Sequence, residues 1–398
     1  NITDVDDKTI RDSQKKYSNL ESMDALKKLT QFYEEAFWQD LSLLNVEKPD
    51  FAPRATETIN EIQKIIRLIF QNGFAYEKDG SIYFDLKKYL KKYKYGRLVN
   101  LDFSQMKFGQ RVDYDEYKKE NIEDFALWKK RKDNEPFWDF DFQGKNLLGR
   151  PGWHIECSAM SYQYLGFPFD IHTGGVDLKF PHHENEIAQN TAAFGIEKPI
   201  NFFLHNEHIL VDDQKMSKSL GNFYTLRDLE NRKFSPLDYR YLCLSSHYRS
   251  KMNFTWLALE SARNSLNEIK NFIKRNYQES FEEIYKESNY QKMFFETISN
   301  DLNTPEALAV IWQMIKDKKL PTGEKIKLLS DFDQVLGLGL RSLKSENIPD
   351  EIKKLALKRE KYRQEKNWNK ADEIRKEIEK KGYLIEDTEK GNRVIENS

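Results

Sequence analysis

Cysteine is nearly absent: Cys157 and Cys243 are the only two in 398 residues. Two thiols cannot build a disulfide scaffold, so the fold must rest on an ordinary apolar core, and the cytoplasm is the expected compartment. Long apolar runs are also missing. No stretch approaches the roughly 18 uninterrupted apolar residues of a membrane span, so no membrane partner is expected. The opening residues, Asn1-Ile2-Thr3-Asp4, carry neither a signal-peptide nor a transit-peptide pattern. They do not begin with methionine either, and the chain is expected to start inside a longer protein. Excess charge of one sign is absent, with 64 Lys and Arg against 65 Asp and Glu. That balance excludes a protein basic overall, so any polyanion must be met by local clusters. There is no Walker A string and no Gly-x-Gly-x-x-Gly. Internal repeats and low-complexity segments are also missing.

What is present is enough apolar sequence, 39%, to bury real cores. The length suits two to four domains. Asn1 to Lys8 reads as a strand end running into a loop that carries Asp4, Asp6 and Asp7. A helix is expected from Thr56 to Asn72, because Ile62, Ile65, Ile66, Ile69 and Phe70 share one face and Gly73 can end it. Phe74 to Leu86 reads as a hairpin turning at Asp79-Gly80. Residues 87–145 form an irregular, aromatic and charged stretch. Its start sets Lys87, Lys88, Lys91, Lys92, Lys94 and Arg97 among Tyr89, Tyr93 and Tyr95, as either a phosphate-facing surface or a solvated basic helix. Short strands, glycine turns and a helix alternate from Gly149 to Ala193 in α/β style. Helical patterns fill Trp256 to Leu340, one of them with Thr304 as N-cap and Pro305 at the first helical position. Ser345 to Asp350 reads as a linker. A charged helix ending before Gly382 and two short strands, Tyr383 to Glu386 and Arg393 to Glu396, follow it.

Two constellations carry chemistry. In Pro181-His182-His183-Glu184-Asn185-Glu186, a helix start with Pro181 in its first turn would put His182 and Glu186 on one face, four residues apart. Cys157 could add a thiolate. Cys, His and Glu together suit Zn²⁺ better than Mg²⁺ or Ca²⁺. His183 is the weaker candidate, since its neighbour four residues on is Ile187. Buried residues making ordinary hydrogen bonds are the alternative. The second constellation points to a nucleotide. Gly174-Gly175 after a strand would let backbone approach a ligand, and Asp177 could accept from a ribose; an ordinary tight turn is the alternative. Lys215-Met216-Ser217-Lys218-Ser219 puts two ammonium groups in a small-residue loop, suited to the charge that builds as pyrophosphate leaves ATP.

That lysine loop is the second signature of class I aminoacyl-tRNA synthetases. Gly149 to Met160, Phe180 to Gln189, Asn1 to Lys8 and Ser246 to Ser250 resemble segments of the cysteinyl-tRNA synthetases. The resemblance implies an α/β fold: a Rossmann-like catalytic domain, N-terminally incomplete, over 1–86 and 146–200. It further implies an inserted connective segment over 87–145 and a lysine-loop and stem-contact region over 201–255. A helical bundle over 256–345 and a small α+β anticodon-binding domain over 350–398 would follow. It implies that Cys157, His182 and Glu186 hold one Zn²⁺ that takes the thiolate of L-cysteine, beside Thr3 and Trp153. His172, Gly174, Gly175 and Asp177, with Lys218, would line the adenylate site, while Lys215, Ser217 and Lys218 would form the catalytic loop, with Mg²⁺ accompanying ATP. A further zinc cysteine and a His-Ile-Gly-His-type motif of the family are not in this chain. At least about 30 residues of a βαβ unit are therefore expected upstream. Thr173 also stands where many relatives have glycine.

The implied activity is a cysteine–tRNA ligase, acting as a monomer. Direct sulfur ligation would separate cysteine from serine, which shape alone does poorly, so no editing domain is expected. Between Lys353 and Lys381, twelve Lys or Arg face six Asp or Glu, a balance suited to a tRNA backbone. Trp368 could stack on an unpaired base or anchor the helix to its own hairpin. The resemblance adds Arg363, Asp372 and Asp387 as base contacts in tRNA-Cys. Two rival readings are a cysteine ligase of the mycothiol type, which lacks an anticodon unit, and a non-catalytic RNA-binding relative.

Overall fold

The computed structural model describes residues 1–99, 111–112, 120–121, 124–276, 288–343, 349–388 and 391–396. The chain divides into two compact units. One holds Asn1–Gly221 with Tyr248–Asn253, and the other holds Asn222–His247 with Phe254–Ser398.

The first unit opens on a short parallel bridge rather than a full strand. Ile2 donates its N–H to Pro53 O at 2.8 Å and accepts from Ala55 N–H at 3.0 Å. The loop expected through the acidic residues is shorter than the sequence suggests, because Asp6 caps helix α1 (Asp7–Lys16). Helix α2 (Ser22–Leu43) follows. Helix α3 (Ile59–Gln71) begins three residues later than its apolar pattern implies, behind a separate turn at Ala55–Glu57. Ile62, Ile65, Ile66 and Ile69 are fully buried, and Gly73, at φ +84°, stops the helix where a side chain would be strained. Strands β1 (Ala75–Lys78) and β2 (Ser81–Phe84) form the expected hairpin. The antiparallel sheet continues through β3 (Ala126–Lys130) to β4 (Gly149–Pro151). Helix α4 (Leu86–Leu90) is a brief turn. Tyr89 and Tyr95 are buried in the core under it, so these rings are packing anchors rather than a nucleic-acid surface. Residues 100–110, 113–119 and 122–123 of the stretch over 87–145 lie outside the described residues.

Helix α5 (Trp153–Leu165) starts directly from β4, and glycine fixes how. Gly152 donates its N–H to Leu127 O at 2.9 Å. A Cβ there would lie 1.9 Å from the Ala126 carbonyl oxygen. Gly152→Ala should therefore push α5 off the sheet, costing about 1–3 kcal/mol of stability and disturbing Trp153 and Cys157 behind it. Unfolding curves of the variant check this; a midpoint equal to the parent's would show that the strand yields freely.

Strand β5 (Phe169–Gly175), helix α6 (Glu184–Phe194) and strand β6 (Ile200–Asn206) form a parallel βαβ unit. Pro181 does not open α6. A wide turn over Lys179–His183, in which Phe180 is extended, precedes the regular helix. Hairpin β7 (Ile209–Val211) and β8 (Gln214–Lys215) leads to the lysine loop. Among the described residues no helix is long and apolar enough to cross a membrane.

The second unit is mainly helical: α7 (Leu226–Asn231), α8 (Pro236–Leu244), α9 (Trp256–Asn276), α10 (Asn289–Ser299), α11 (Thr304–Lys316) and α12 (Thr322–Leu336). Asn303, not Thr304, caps α11: its side-chain amide oxygen accepts from Glu306 N–H at 3.2 Å, and Thr304 is the first helical residue. At the chain's end, α13 (Asp350–Gln364) and α14 (Trp368–Lys380) pack with an antiparallel hairpin, β9 (Tyr383–Thr388) and β10 (Gly391–Glu396). Sequence pattern suggested one helix here. Lys366, at φ +60°, breaks it in two. Most of the expected linker lies outside the described residues.

Candidate active site

Three elements bring the metal candidates together. Cys157 sits in the second turn of α5, His182 in the wide turn, and Glu186 in the first turn of α6. One ligand atom from each lies within 4.8 Å of the others, and all three residues are buried. His182 Nε2 is 3.2 Å from Glu186 Oε1. Two donors on one ion with ~2.1 Å bonds are separated by about 3.0–3.4 Å. The expected pairing across four residues therefore survives the irregular helix start.

The electrostatics fit a cation. Burial pushes the Cys157 thiol well above its ordinary pKa, helped by the nearby Glu186 and Glu156 charges, so only a strong local positive charge would favour the thiolate. Burial works against the Glu186 carboxylate, but His172 and His182 hold it well below its usual range. Glu186 Oε2 is buried and has no hydrogen-bond partner among the described residues. A carboxylate with one oxygen doubly engaged and the other bare, facing a thiol, fits a soft-to-borderline divalent ion.

The surroundings are aromatic and imidazole-rich. The Trp153 ring lies tilted against the His182 ring, with centroids 4.3 Å apart, while staying 45% exposed. It forms a wall of the cluster that solvent or a ligand can reach. Thr3 is half-buried on the segment held by Ile2 and by Asp4, whose carboxylate accepts from Thr56 N–H at 3.0 Å. Asn1 Nδ2 donates to Cys157 Sγ at 3.2 Å, which brings this segment to the metal cluster. Sequence reasoning missed His154, whose Nδ1 meets His182 Nδ1 at 2.8 Å. Burial, with His182 beside it, pushes its pKa down to about 3. His154 is therefore a neutral imidazole beside His182 rather than a competing cation.

His172 adds a contact to the metal candidates that its sequence role did not include. Its Nε2 lies 3.1 Å from Glu186 Oε1, on the metal side of the strand. Burial opposes its protonation, yet the Glu186 charge raises its pKa. Gly174 is required by close approach to a ring within the chain itself, whereas Gly175 faces only the movable end of the exposed Asp177 side chain. A Cβ on Gly174 would lie 2.8 Å from the His183 ring, and one on Gly175 would lie 2.4 Å from Asp177 Oδ1. Asp177 is exposed at the C-terminal end of β5, the edge where open α/β sheets receive ligands. Lys215 ends β8, and Lys218 follows in an exposed turn. Ser217 Oγ accepts from Leu220 N–H at 3.2 Å, so it shapes the loop as a cap.

Glu156 and Glu184 divide sharply. Glu184 accepts backbone N–H from Gly96 at 2.7 Å and from Leu98 at 3.0 Å, a purely structural anchor. Glu156 is fully buried, and neither oxygen has a hydrogen-bond partner among the described residues. Burial, then Asp4 and Asp6, raises its pKa well above 4.5. The native state then holds a proton that the unfolded state releases above pH 4.5, so stability falls as pH rises through that window. Glu156→Gln should remove the fall. Its melting temperature should match the parent's at pH 4 and exceed it at pH 8; parallel pH profiles would contradict this.

At the other end of the chain, Arg363 and Asp387 are partners of each other. Asp387 also accepts from Arg359 Nη1 at 2.7 Å and Nη2 at 3.2 Å. Those bonds, Arg359's foremost, hold it below the usual carboxylate range. Arg359 is buried and was not visible as a partner in sequence. Trp368 is 56% exposed at the first residue of α14, with the Arg363 guanidinium 5.7 Å from its ring across the helix break. Asp372 is exposed on α14.

Residues 1–264 match the model of the class I (C) tRNA synthetase catalytic domain. A parallel βαβ unit followed by a Lys-Met-Ser-Lys-Ser loop places the chain in that class. A cysteine–tRNA ligase of Protochlamydia amoebophila is 39% identical over 417 positions, covering 99% of this chain and 84% of that protein. One from Brachyspira hyodysenteriae is 44% identical over 415 positions, covering 98% and 85%. The chain belongs to the cysteine–tRNA ligase family. A solved methionyl-tRNA synthetase from Mycobacterium tuberculosis, in complex with methionyl-adenylate, shares the fold at a TM-score of 0.50 and 14% identity, over 78% of this chain and 72% of that one.

Proposed function

We propose that this protein activates cysteine with ATP and transfers the cysteinyl group to the 3′-terminal ribose of tRNA-Cys, as a cytoplasmic monomer. The observation that carries the proposal is the meeting of Cys157, His182 and Glu186 within 4.8 Å, with a buried carboxylate oxygen left bare. Zn²⁺ held by these residues would supply a Lewis acid that takes a thiolate far more readily than a neutral hydroxyl. Trp153 walls the amino-acid pocket, and Thr3 is assigned its other side. His154 and His172 orient the imidazole and carboxylate donors.

The first step is attack of the cysteine carboxylate on the α-phosphate of Mg²⁺-ATP, with pyrophosphate leaving. No protein nucleophile is needed. Lys215 and Lys218 oppose the charge that grows on the leaving oxygens, and the Ser217 cap fixes the loop that carries them. Gly174, Gly175 and Asp177 are assigned to the adenosine side. In the 350–398 unit, Trp368 is exposed for stacking on an anticodon base. Arg363, held by Asp387, and Asp372 stand beside it as polar contacts. The test is charging of tRNA-Cys transcripts with labelled cysteine and, separately, with serine. Cysteine should be attached and serine should not; attachment of both at similar rates would overturn the sulfur-reading site.

A further inference from the structure

Asn1 Nδ2 donates to Cys157 Sγ at 3.2 Å, and the function above leaves this side chain without a role. Asn1 is exposed while Cys157 is buried, so an amide at the surface reaches a sulfur inside. We propose that Asn1 is a positioning residue for the metal-binding sulfur: its side-chain N–H holds the Cys157 thiolate and draws charge from it, so that a bound divalent ion stays acidic enough to take a second sulfur from the substrate. The inference rests on the reading of Cys157, His182 and Glu186 as Zn²⁺ ligands and deepens it.

The backbone that carries the amide is held still. Ile2, the next residue, donates to Pro53 O at 2.8 Å and accepts from Ala55 N–H at 3.0 Å. Two residues further on, the buried Asp4 carboxylate accepts from Thr56 N–H at 3.0 Å and from the Thr56 hydroxyl at 2.6 Å. These bonds pin the segment to the turn over Ala55–Glu57. On the other side, Cys157 sits in the second turn of α5, whose start is tied to the sheet by Gly152 N–H and Leu127 O at 2.9 Å. Both ends of the Asn1–Cys157 bond therefore stand on fixed backbone, although 156 positions separate them.

The chemistry of the bond follows from the state of the sulfur. A neutral thiol is a weak acceptor, whereas a hydrogen bond to an ionised acceptor is roughly twice as strong as a neutral one. The amide therefore grips hardest when the sulfur is ionised and ligated. His182 and Glu186 already have outer partners in His154 and His172, and Asn1 gives the third ligand its own. Such partners orient ligands and set metal affinity, and hydrogen bonds to ligating sulfurs shift the electronics of a metal centre. A donor that draws charge from Cys157 offsets the repulsion met when a second anionic sulfur joins the same ion.

The test strips the whole chain of metal, reloads it with Co²⁺ and compares the parent with Asn1→Leu, which keeps a side chain of similar size without the donor, and with Asn1→Ala. The parent should show a thiolate-to-metal charge-transfer band. In both variants that band should move to longer wavelength, because a sulfur without the N–H holds its electrons less tightly. Co²⁺ affinity, read against a competing chelator, should fall by about 10–100-fold, as when an outer partner of a ligand is lost. A merely structural role would lower the melting temperature of the metal-free variants without moving the band. An unmoved band in either variant overturns the proposal, whatever happens to affinity or melting temperature, and leaves the metal reading standing. A Co²⁺-loaded parent with no thiolate band refutes the Cys157 reading and this inference together.

Discussion

Cys157→Ser should strip the protein of its tightly held metal and lower cysteine-dependent ATP–pyrophosphate exchange by at least about 100-fold. Disturbing even an outer partner of a metal ligand costs 10–100-fold, and this substitution removes a ligand itself. A serine hydroxyl is neutral at working pH and cannot replace a thiolate, so Glu186 would be left buried with Oε2 still bare. Cys157 is held protonated by burial when no cation is near, so metal uptake must release a proton. Affinity should therefore fall as pH falls. Cys243→Ser is the control: that thiol is also raised by burial and lies beside Tyr239 in the other unit, and its loss should leave metal content unchanged. Retention of metal and exchange activity in Cys157→Ser would remove the thiolate from the site.

Lys218→Ala should slow adenylate formation by about 10²–10³-fold, the usual cost of deleting one preorganised group that meets transition-state charge. Cysteine affinity should change little, because the lysine loop and the Cys157 cluster act on different ends of the reaction. Single-turnover formation of the adenylate at saturating cysteine separates the two quantities. Lys218→Arg should recover part of the rate by restoring charge without the same reach. A fall in cysteine affinity equal to the fall in rate would contradict a transition-state role. Ser217→Ala should have a smaller effect on the same rate, since Ser217 caps the loop through Leu220 N–H.

Much of this site is legible in sequence, for physical reasons that also mark where legibility stops. His182 and Glu186 are a local pair, and local spacing survives even though the turn over Lys179–His183 is not a regular helix start. Cys157 stands out because thiols are scarce. The isoleucine face of α3 and the Asp79-Gly80 hairpin follow from period and turn chemistry. By contrast, His205 reaches His183 from a neighbouring parallel strand, and His154 reaches His182 from another helix. Neither contact leaves a periodic signal. Arg359 pairs with Asp387 across 28 positions for the same reason. The break at Lys366 is invisible to pattern because the charges run through it unbroken. The tyrosines near Lys88 mislead because aromatic and basic residues alternate there, while burial places Tyr89 and Tyr95 inside.

Zinc-edge X-ray absorption of the metal-loaded protein, with and without cysteine, measures sulfur selection most directly. Adding cysteine should add one sulfur neighbour at about 2.3 Å, the zinc–thiolate distance, while serine at the same concentration should leave the spectrum unchanged. An unaltered sulfur count on adding cysteine, in protein that still forms the adenylate, would show that the ion does not read the side chain.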